Sequence, residues 1–165
     1  MNKNAIYPGS FDPISNGHID IINRALNIFD NLVIAVLNNS EKKSWFSVEE
    51  RVNMIKELYG NNKKIQIKSF DGLLVDFMEK ENLKIAIRGL RAVSDYEYEL
   101  QLALFNSQLS KGKFETIFLP ASRENLYLSS TVIKEIAINN GQLEEYVDKT
   151  ILNKIREKAK IKRGE

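Results

Sequence analysis

Runs of apolar residues alternate with amphipathic stretches along this chain, and the runs fall at residues 5–7, 32–37, 65–70, 85–87 and 116–119. Most are apolar nearly throughout, as parallel strands covered on both faces require, although 65–70 carries Gln66, Lys68 and Ser69, and each is followed by a stretch of helical period that can supply the cover. The pattern predicts an α/β fold: a Rossmann-like, doubly wound five-stranded parallel sheet with helices on both faces and a short helical C-terminal segment. Right-handed crossovers would bring all the strand C-terminal ends to one edge of the sheet.

The first helix opens at Asn16-Gly17-His18, and Ile19, Ile22, Leu26 and Phe29 define its apolar face by their spacing. Ser47 and Glu50 form a capping box ahead of a second helix with a stripe of Val48, Val52, Ile55 and Leu58. A third helix is expected over about residues 73–81. The fourth, over about 94–109, carries Asp95, Glu97 and Glu99 near its start and a stripe of Leu100, Ala103 and Leu104. A fifth opens at Ser129-Ser130-Thr131 and stops near Asn139-Asn140-Gly141, and residues 142–165 form the helical extension.

A chain of 165 residues with 43% hydrophobic and 28% charged residues is ordinary for one folded domain. Its longest apolar run, 32–37, is too short to cross a bilayer, and the first residues lack a secretory pattern, so a cytoplasmic protein with no membrane partner is expected. With no cysteine and one histidine, disulfides, thiolate chemistry and multi-histidine metal centres are excluded. A metal would have to be a hard cation such as Mg²⁺, held mainly by substrate phosphates. The net charge is +2, and the basic tail of Lys154, Arg156, Lys158, Lys160, Lys162 and Arg163 reads as a solvated helix end favoured by the helix dipole, not as a nucleic-acid patch.

Four segments follow strands on the predicted edge: residues 8–18, 38–43, 88–91 and 120–131. They carry Ser10, His18, Lys42, Lys43, Arg88, Arg91, Arg123, Ser129, Ser130 and Thr131, a cationic and hydroxyl-rich set suited to several phosphates. His18 is placed where unpaired backbone N–H groups of a helix start seat an anion, and Gly9 and Gly17 keep side chains out of the approach. Arg88-Gly89-Leu90-Arg91 offers two guanidiniums at a strand end, with Leu90 expected to pack inward. The fingerprints of dinucleotide oxidoreductases, P-loop NTPases and α/β-hydrolases are absent from the sequence.

Gly17-His18 at a helix start resembles the H/T-x-G-H signature of the nucleotidyltransferase superfamily, with Ser15 at its first position. Tyr7-Pro8-Gly9-Ser10-Phe11-Asp12-Pro13 with Asn16-Gly17-His18-Ile19-Asp20, then Ile87-Arg88-Gly89-Leu90-Arg91 with Asp95-Tyr96-Glu97-Tyr98-Glu99, closely resemble the phosphopantetheine adenylyltransferase family. The likeness runs over residues 5–135 in order and spacing, and implies one nucleotidyltransferase domain over 1–165.

It further implies transfer of AMP from ATP to 4′-phosphopantetheine in coenzyme A synthesis, with Mg²⁺, a homohexamer and feedback binding of coenzyme A. By position, Ser10, Lys42, Leu74 and Arg88 correspond to the phosphopantetheine site. Ser10, Phe11, His18, Gly89, Leu90, Arg91, Glu99, Asn125, Leu126, Tyr127, Leu128, Ser129, Ser130 and Thr131 correspond to the ATP site. His18, Lys42 and Arg91 are the expected catalytic residues, His18 as transition-state stabiliser. Ser10 stands where relatives often have threonine, and Asn125 where an aromatic residue is common. Lys134 replaces the arginine that closes the serine motif of cytidylyltransferases, which favours the pantetheine branch. The rivals are a nicotinamide-mononucleotide adenylyltransferase or a cytidylyltransferase within the superfamily and, outside enzymes, a nucleotide- or nucleic-acid-binding module; with the first reading no nucleic-acid partner is expected.

Overall fold

Five strands form in chain order, β1 (Asn4–Gly9), β2 (Asn31–Leu37), β3 (Ile65–Phe70), β4 (Ile85–Leu90) and β5 (Glu115–Pro120), and lie in the order β3-β2-β1-β4-β5 with every pairing parallel. The computed structural model describes residues 3–38, 43–91 and 93–165. Six helices are described: α1 (Asn16–Leu26), α2 (Val48–Tyr59), α3 (Leu74–Lys80), α4 (Val93–Leu109), α5 (Ser130–Ile138) and α6 (Lys149–Arg163).

The inner strands β1 and β2 bury residues on both faces, which is why their sequences are largely apolar, whereas the edge strands β3 and β5 are mixed and less buried. Ala5 and Tyr7 of β1 with Leu32, Ile34 and Val36 of β2 join the core shared with α1, α2, α5 and α6. Ile6, Val33, Ala35 and Ala86 face the other way, toward α3. The chain winds outward from β1 in both directions, as predicted.

Helix boundaries follow their caps. Ser47 and Glu50 form the expected capping box on α2, with Ser47 N–H donating to Glu50 at 2.6 Å and Glu50 N–H donating to the Ser47 hydroxyl at 3.1 Å. α5 stops where Asn140 adopts φ 55° and Gly141 N–H returns to the Ile136 carbonyl at 2.8 Å, so the left-handed residue is the asparagine rather than the glycine.

Three faces differ from the spacing-based expectation. In α1 the fully buried residues are Ile21, Ile22 and Ala25, while Ile19 and Leu26 are partly covered and Phe29 is buried beyond the helix end. Gly89 accounts for the rotation: a Cβ there would lie 3.2 Å from Ile21 Cγ1, so α1 lies against β4 with Ile21 inward. In α2, Arg51 and Met54 are buried beside Ile55. In α4, Leu104 is 62% exposed and Phe105 55%. Its apolar residues run around the whole helix, so no single stripe is selected.

The basic tail is in part a clamp, through Lys154, Arg156, Lys158 and Arg163, while Lys160 and Lys162 are exposed as a solvated helix end would have them. Ile151, Ile155 and Ala159 bury one side of α6, and four of its basic side chains reach neighbouring elements. Lys154 pairs with Glu57 and Lys158 with Glu50, both on α2, while Lys158 Nζ also lies 5.1 Å from the Phe46 ring centre. Arg156 pairs with Glu144, and Arg163 donates to the Ala137 and Ile138 carbonyls at the end of α5.

Candidate active site

The strand order reverses between β1 and β4, and there the sheet opens. β1 pairs with β2 along Asn4 to Gly9, but among the described residues it meets β4 at one rung, Ile6 opposite Ala86. Pro8 has no N–H to lend to a ladder, and its carbonyl instead accepts a hydrogen bond from Arg88 NH1 at 3.1 Å. The crevice outside the strand ends at such a switch point is where open α/β sheets bind ligands. A cleft of about 340 Å³ lies there, lined by Tyr7 to Ser10, Ser15, Gly17, His18, Arg88, Gly89, Arg91, Glu99 and Leu128 to Thr131. Three of the four predicted segments therefore converge.

His18 is the third residue of α1 and takes the place a glutamate holds in an ordinary capping box. Ser15 N–H donates to His18 Nδ1 at 3.1 Å, the Ser15 hydroxyl lies 2.8 Å from the same nitrogen, and His18 N–H points back to that hydroxyl at 3.4 Å. A backbone N–H can only donate, so Nδ1 is the acceptor and the ring proton resides on Nε2. Burial, and then the Arg91 charge, hold the imidazole pKa down at about 4. The ring is thus neutral near pH 7 and serves as a hydrogen-bond donor. Phe11 packs beneath it with centroids 5.1 Å apart, and Tyr7 meets Phe11 edge-on at 5.5 Å.

Arg88 leaves β4 and is gripped by Glu99 of α4 through two bonds of 2.6 Å, from Nε to Oε2 and from NH2 to Oε1. Burial acts to lower its pKa, but the hydrogen bonds and charge of Glu99 outweigh this and raise it. With the bond to Pro8, three of its five N–H donors have partners among the described residues, and two are left to present to a ligand. Arg91 NH1 donates to the Leu128 carbonyl at 3.2 Å, which fastens the Arg88–Arg91 segment to the serine segment. There Ser129 caps α5 by accepting from Val132 N–H at 3.1 Å, and the Ser130 hydroxyl donates to the Pro13 carbonyl at 2.8 Å. Ser130 has spent its hydroxyl proton on Pro13, whereas Ser129 only accepts, so the anion-seeking groups at this end are the Ser129 hydroxyl and the first backbone N–H groups of the helix.

A second cleft, of about 410 Å³, shares Pro8, Gly9, Ser10, Arg88 and Glu99 with the first and then runs between β3, α3 and α4. Beyond the shared wall it is lined by Leu37, Phe70, Leu73, Leu74, Leu102, Ala103 and Phe105. One end is polar and cationic, the other apolar.

The cytidylyltransferase-like family pattern matches residues 6–136 of the chain. A phosphopantetheine adenylyltransferase of Clostridium perfringens is 46% identical over 160 residues, 97% of each chain. Proteins of the same name are 47% identical in Clostridium botulinum, over 96% of this chain and 99% of theirs, and 45% identical in Legionella pneumophila, over 96% and 92%. The chain belongs to the phosphopantetheine adenylyltransferase family. Among solved structures, the nicotinic acid mononucleotide adenylyltransferase of Plasmodium falciparum complexed with APC superposes with a TM-score of 0.64 at 16% identity, covering 99% of this chain and 96% of that one. That likeness is one of fold.

Of the residues expected from the sequence, Ser10, His18, Gly89, Arg91, Glu99, Leu128, Ser129, Ser130 and Thr131 line the first cleft, Leu74 lines the second, and Ser10, Arg88 and Glu99 lie on both. Phe11 is fully buried under His18 rather than on the wall. Gly9 is small because of it: a Cβ would lie 3.0 Å from the Phe11 ring. Gly17 does border the cleft, where a Cβ would make ordinary contacts with Asn125 and Leu128. Leu90 is half-buried, Asn125 bonds Ser122 through its amide, Leu126 is half-buried and Tyr127 is 87% exposed, all outside the two linings. Arg123 and Lys43 are exposed, and Lys42 lies outside the described residues.

Sequence reading missed the supports. Asp12, 5% exposed, accepts from Trp45 N–H at 3.0 Å, Phe46 N–H at 2.9 Å and Lys134 Nζ at 3.0 Å. The lysine that replaces the cytidylyltransferase arginine therefore holds this loop. No spacing rule links residues 12, 45 and 134, so only the fold exposes the group. Ser15 had a legible signal, since a serine three residues ahead of His18 is a helix cap.

The described carboxylate on the cleft wall, Glu99, has both oxygens on Arg88. No group of three metal-ligating side chains occurs among the described residues. These residues do not by themselves build a seat for Mg²⁺.

Proposed function

We propose that the protein transfers AMP from ATP to 4′-phosphopantetheine, releasing pyrophosphate and forming dephospho-coenzyme A. What carries the reading is the pairing of a phosphate-adapted cleft with an apolar one across a shared wall of Ser10, Arg88 and Glu99. An oxygen of the 4′-phosphate attacks the α-phosphorus in line, the bond to the bridging oxygen breaks, and its electron pair leaves with pyrophosphate. The nucleophile is already an anion near neutral pH, so alignment and charge stabilisation are the tasks of the protein. The neutral His18 donates its Nε2 hydrogen to an α-phosphate oxygen as charge builds. Arg88, with Lys42, holds the attacking phosphate, and the pantetheine arm lies along Leu74. Arg91 and the start of α5 take the departing phosphates, and Ser10 bridges the two substrates.

Mg²⁺ belongs to this reading as an ion brought in on the ATP phosphates. Coenzyme A, which joins a nucleotide to a pantetheine arm, is proposed to occupy the same two clefts as a feedback ligand. A homohexamer is proposed from the resemblance, with support from Leu104, Phe105 and Leu109 of α4, which are 62%, 55% and 42% exposed. A cytoplasmic location is in keeping with the absence, among described residues, of a helix long and apolar enough to cross a membrane. The test follows pyrophosphate release from ATP or CTP with phosphopantetheine or nicotinamide mononucleotide. Turnover is expected with ATP and phosphopantetheine, and turnover confined to another pair would overturn the proposal.

A further inference from the structure

One charged side chain lies outside both clefts yet holds the segment they share. Arg51 of α2 is 2% exposed. Its NH1 donates to the Ser10 carbonyl at 2.7 Å and to the Leu37 carbonyl at 2.9 Å, and its Nε to the Ser47 carbonyl at 3.3 Å. The last β1–β2 partners are Gly9 and Val36, so Ser10 and Leu37 stand where the next rung would form. One nitrogen of Arg51 bonds both of their carbonyls.

Burying a guanidinium against neutral oxygens is an expensive way to gain stability, because well-packed apolar side chains serve as well or better. Burial pulls the Arg51 pKa down, and the charge of nearby Asp12 opposes this. The site of the expense is informative. A lysine ammonium could reach one of these carbonyls, whereas the planar fork holds the ends of two strands and the cap of a helix in one arrangement.

We propose that Arg51 is a positioning residue for the adenylyl transfer: it holds the ends of β1 and β2 beyond Gly9 and Val36 and so fixes Ser10, which lines both clefts. The inference rests on the proposed function, because Ser10 matters here as the bridge between two substrates. Arg51 touches neither of them. Its loss should lower kcat through misplacement of Ser10 and leave both KM values nearly unchanged.

The experiment compares Arg51→Lys, Arg51→Met and Ser10→Ala, singly and combined, in the pyrophosphate-release assay, with thermal unfolding measured alongside. Arg51→Lys is expected to lower kcat about tenfold, with each KM within about threefold, and Arg51→Met to lower it further. In the Ser10→Ala background the Arg51→Lys loss should shrink to about twofold, since both changes act through one hydroxyl. Full multiplicative losses in the double variant, or wild-type kcat in Arg51→Lys, would overturn the proposal. If Arg51→Met does not fold, the lysine variant decides alone. A readout without turnover separates this inference from the functional one: the carbonyl ¹³C resonances of Ser10 and Leu37 should move upfield in Arg51→Lys as a donor is lost. Unmoved resonances overturn the placement, whereas wild-type protein that releases no pyrophosphate overturns the function.

Discussion

The two clefts share a wall and differ in almost everything else. The first is walled by His18, Arg91 and the serine end of α5, and it offers N–H donors that already have fixed directions. The second is walled by Leu37, Phe70, Leu73, Leu74 and Phe105, which attract without direction. Donors aimed in advance suit a reacting group whose charge changes during the reaction, whereas apolar walls suit a part of the substrate that does not react. The contrast assigns rate to the first cleft and acceptor affinity to the second, and substitutions should separate the two.

The largest effect is expected at His18. Replacing it by alanine removes a donor that acts on developing charge and should lower kcat by about a hundredfold or more, with little change in either KM. Steady-state kinetics on both substrates check this. Near-normal turnover would remove His18 from the chemistry and leave the first cleft as a binding site alone.

Its protonation state gives the next test. His18 is the only histidine, so one imidazole signal reports the site by NMR. In ligand-free protein the midpoint should lie near pH 4 instead of 6.5. The sign follows from linkage: between these values the unfolded chain binds a proton that the folded protein refuses, so stability from this group is complete above pH 6.5 and is lost as pH falls toward 4. A midpoint at 6.5 would make the ring cationic under mild acid and contradict the capping geometry with Ser15.

Arg88 lies on the common wall, and its replacement asks whether the wall serves both clefts equally. Arg88→Lys keeps the charge but cannot hold Glu99 through two parallel bonds while presenting further N–H groups to a phosphate. We expect the KM for phosphopantetheine to rise about tenfold, or about 1.4 kcal/mol, and the KM for ATP to change much less. Equal losses for both substrates would assign Arg88 to the nucleotide as much as to the acceptor.

Much of this layout was legible in the residues. Apolar-rich runs placed all five strands, the mixed edge strand β3 among them, and their C-terminal loops gathered His18, Arg88, Arg91 and the Ser129–Thr131 segment at one edge, because parallel topology leaves little freedom in where those loops go. What was not legible depends on contacts between residues distant in sequence. The basic tail read as solvent-facing because its glutamate partners, Glu50 and Glu57, lie on α2 about a hundred residues earlier. The turn of α1 toward Ile21 follows from the missing side chain at Gly89, on a strand the helix reaches only after folding. Arg51 carries no sequence signal, since nothing local announces that two strand ends will leave carbonyls in need of a donor.

The smallest effect is also the most selective. Leu74 is half-buried at the start of α3 and faces the second cleft beside Leu73 and Phe70. Leu74→Ala takes away apolar surface that would cover the pantetheine arm, and at roughly 25 cal/mol per Å² a loss of about 40 Å² amounts to about 1 kcal/mol. The KM for phosphopantetheine should therefore rise about fivefold, with kcat and the KM for ATP unchanged, because the arm takes no part in the bond being made. A shortened acceptor that keeps the 4′-phosphate but lacks the distal amide should show no dependence on Leu74. If the variant instead lowered kcat with the natural acceptor, the apolar cleft would be aligning the reacting phosphate as well as binding the arm, and the division of labour between the two clefts would fail at its apolar end.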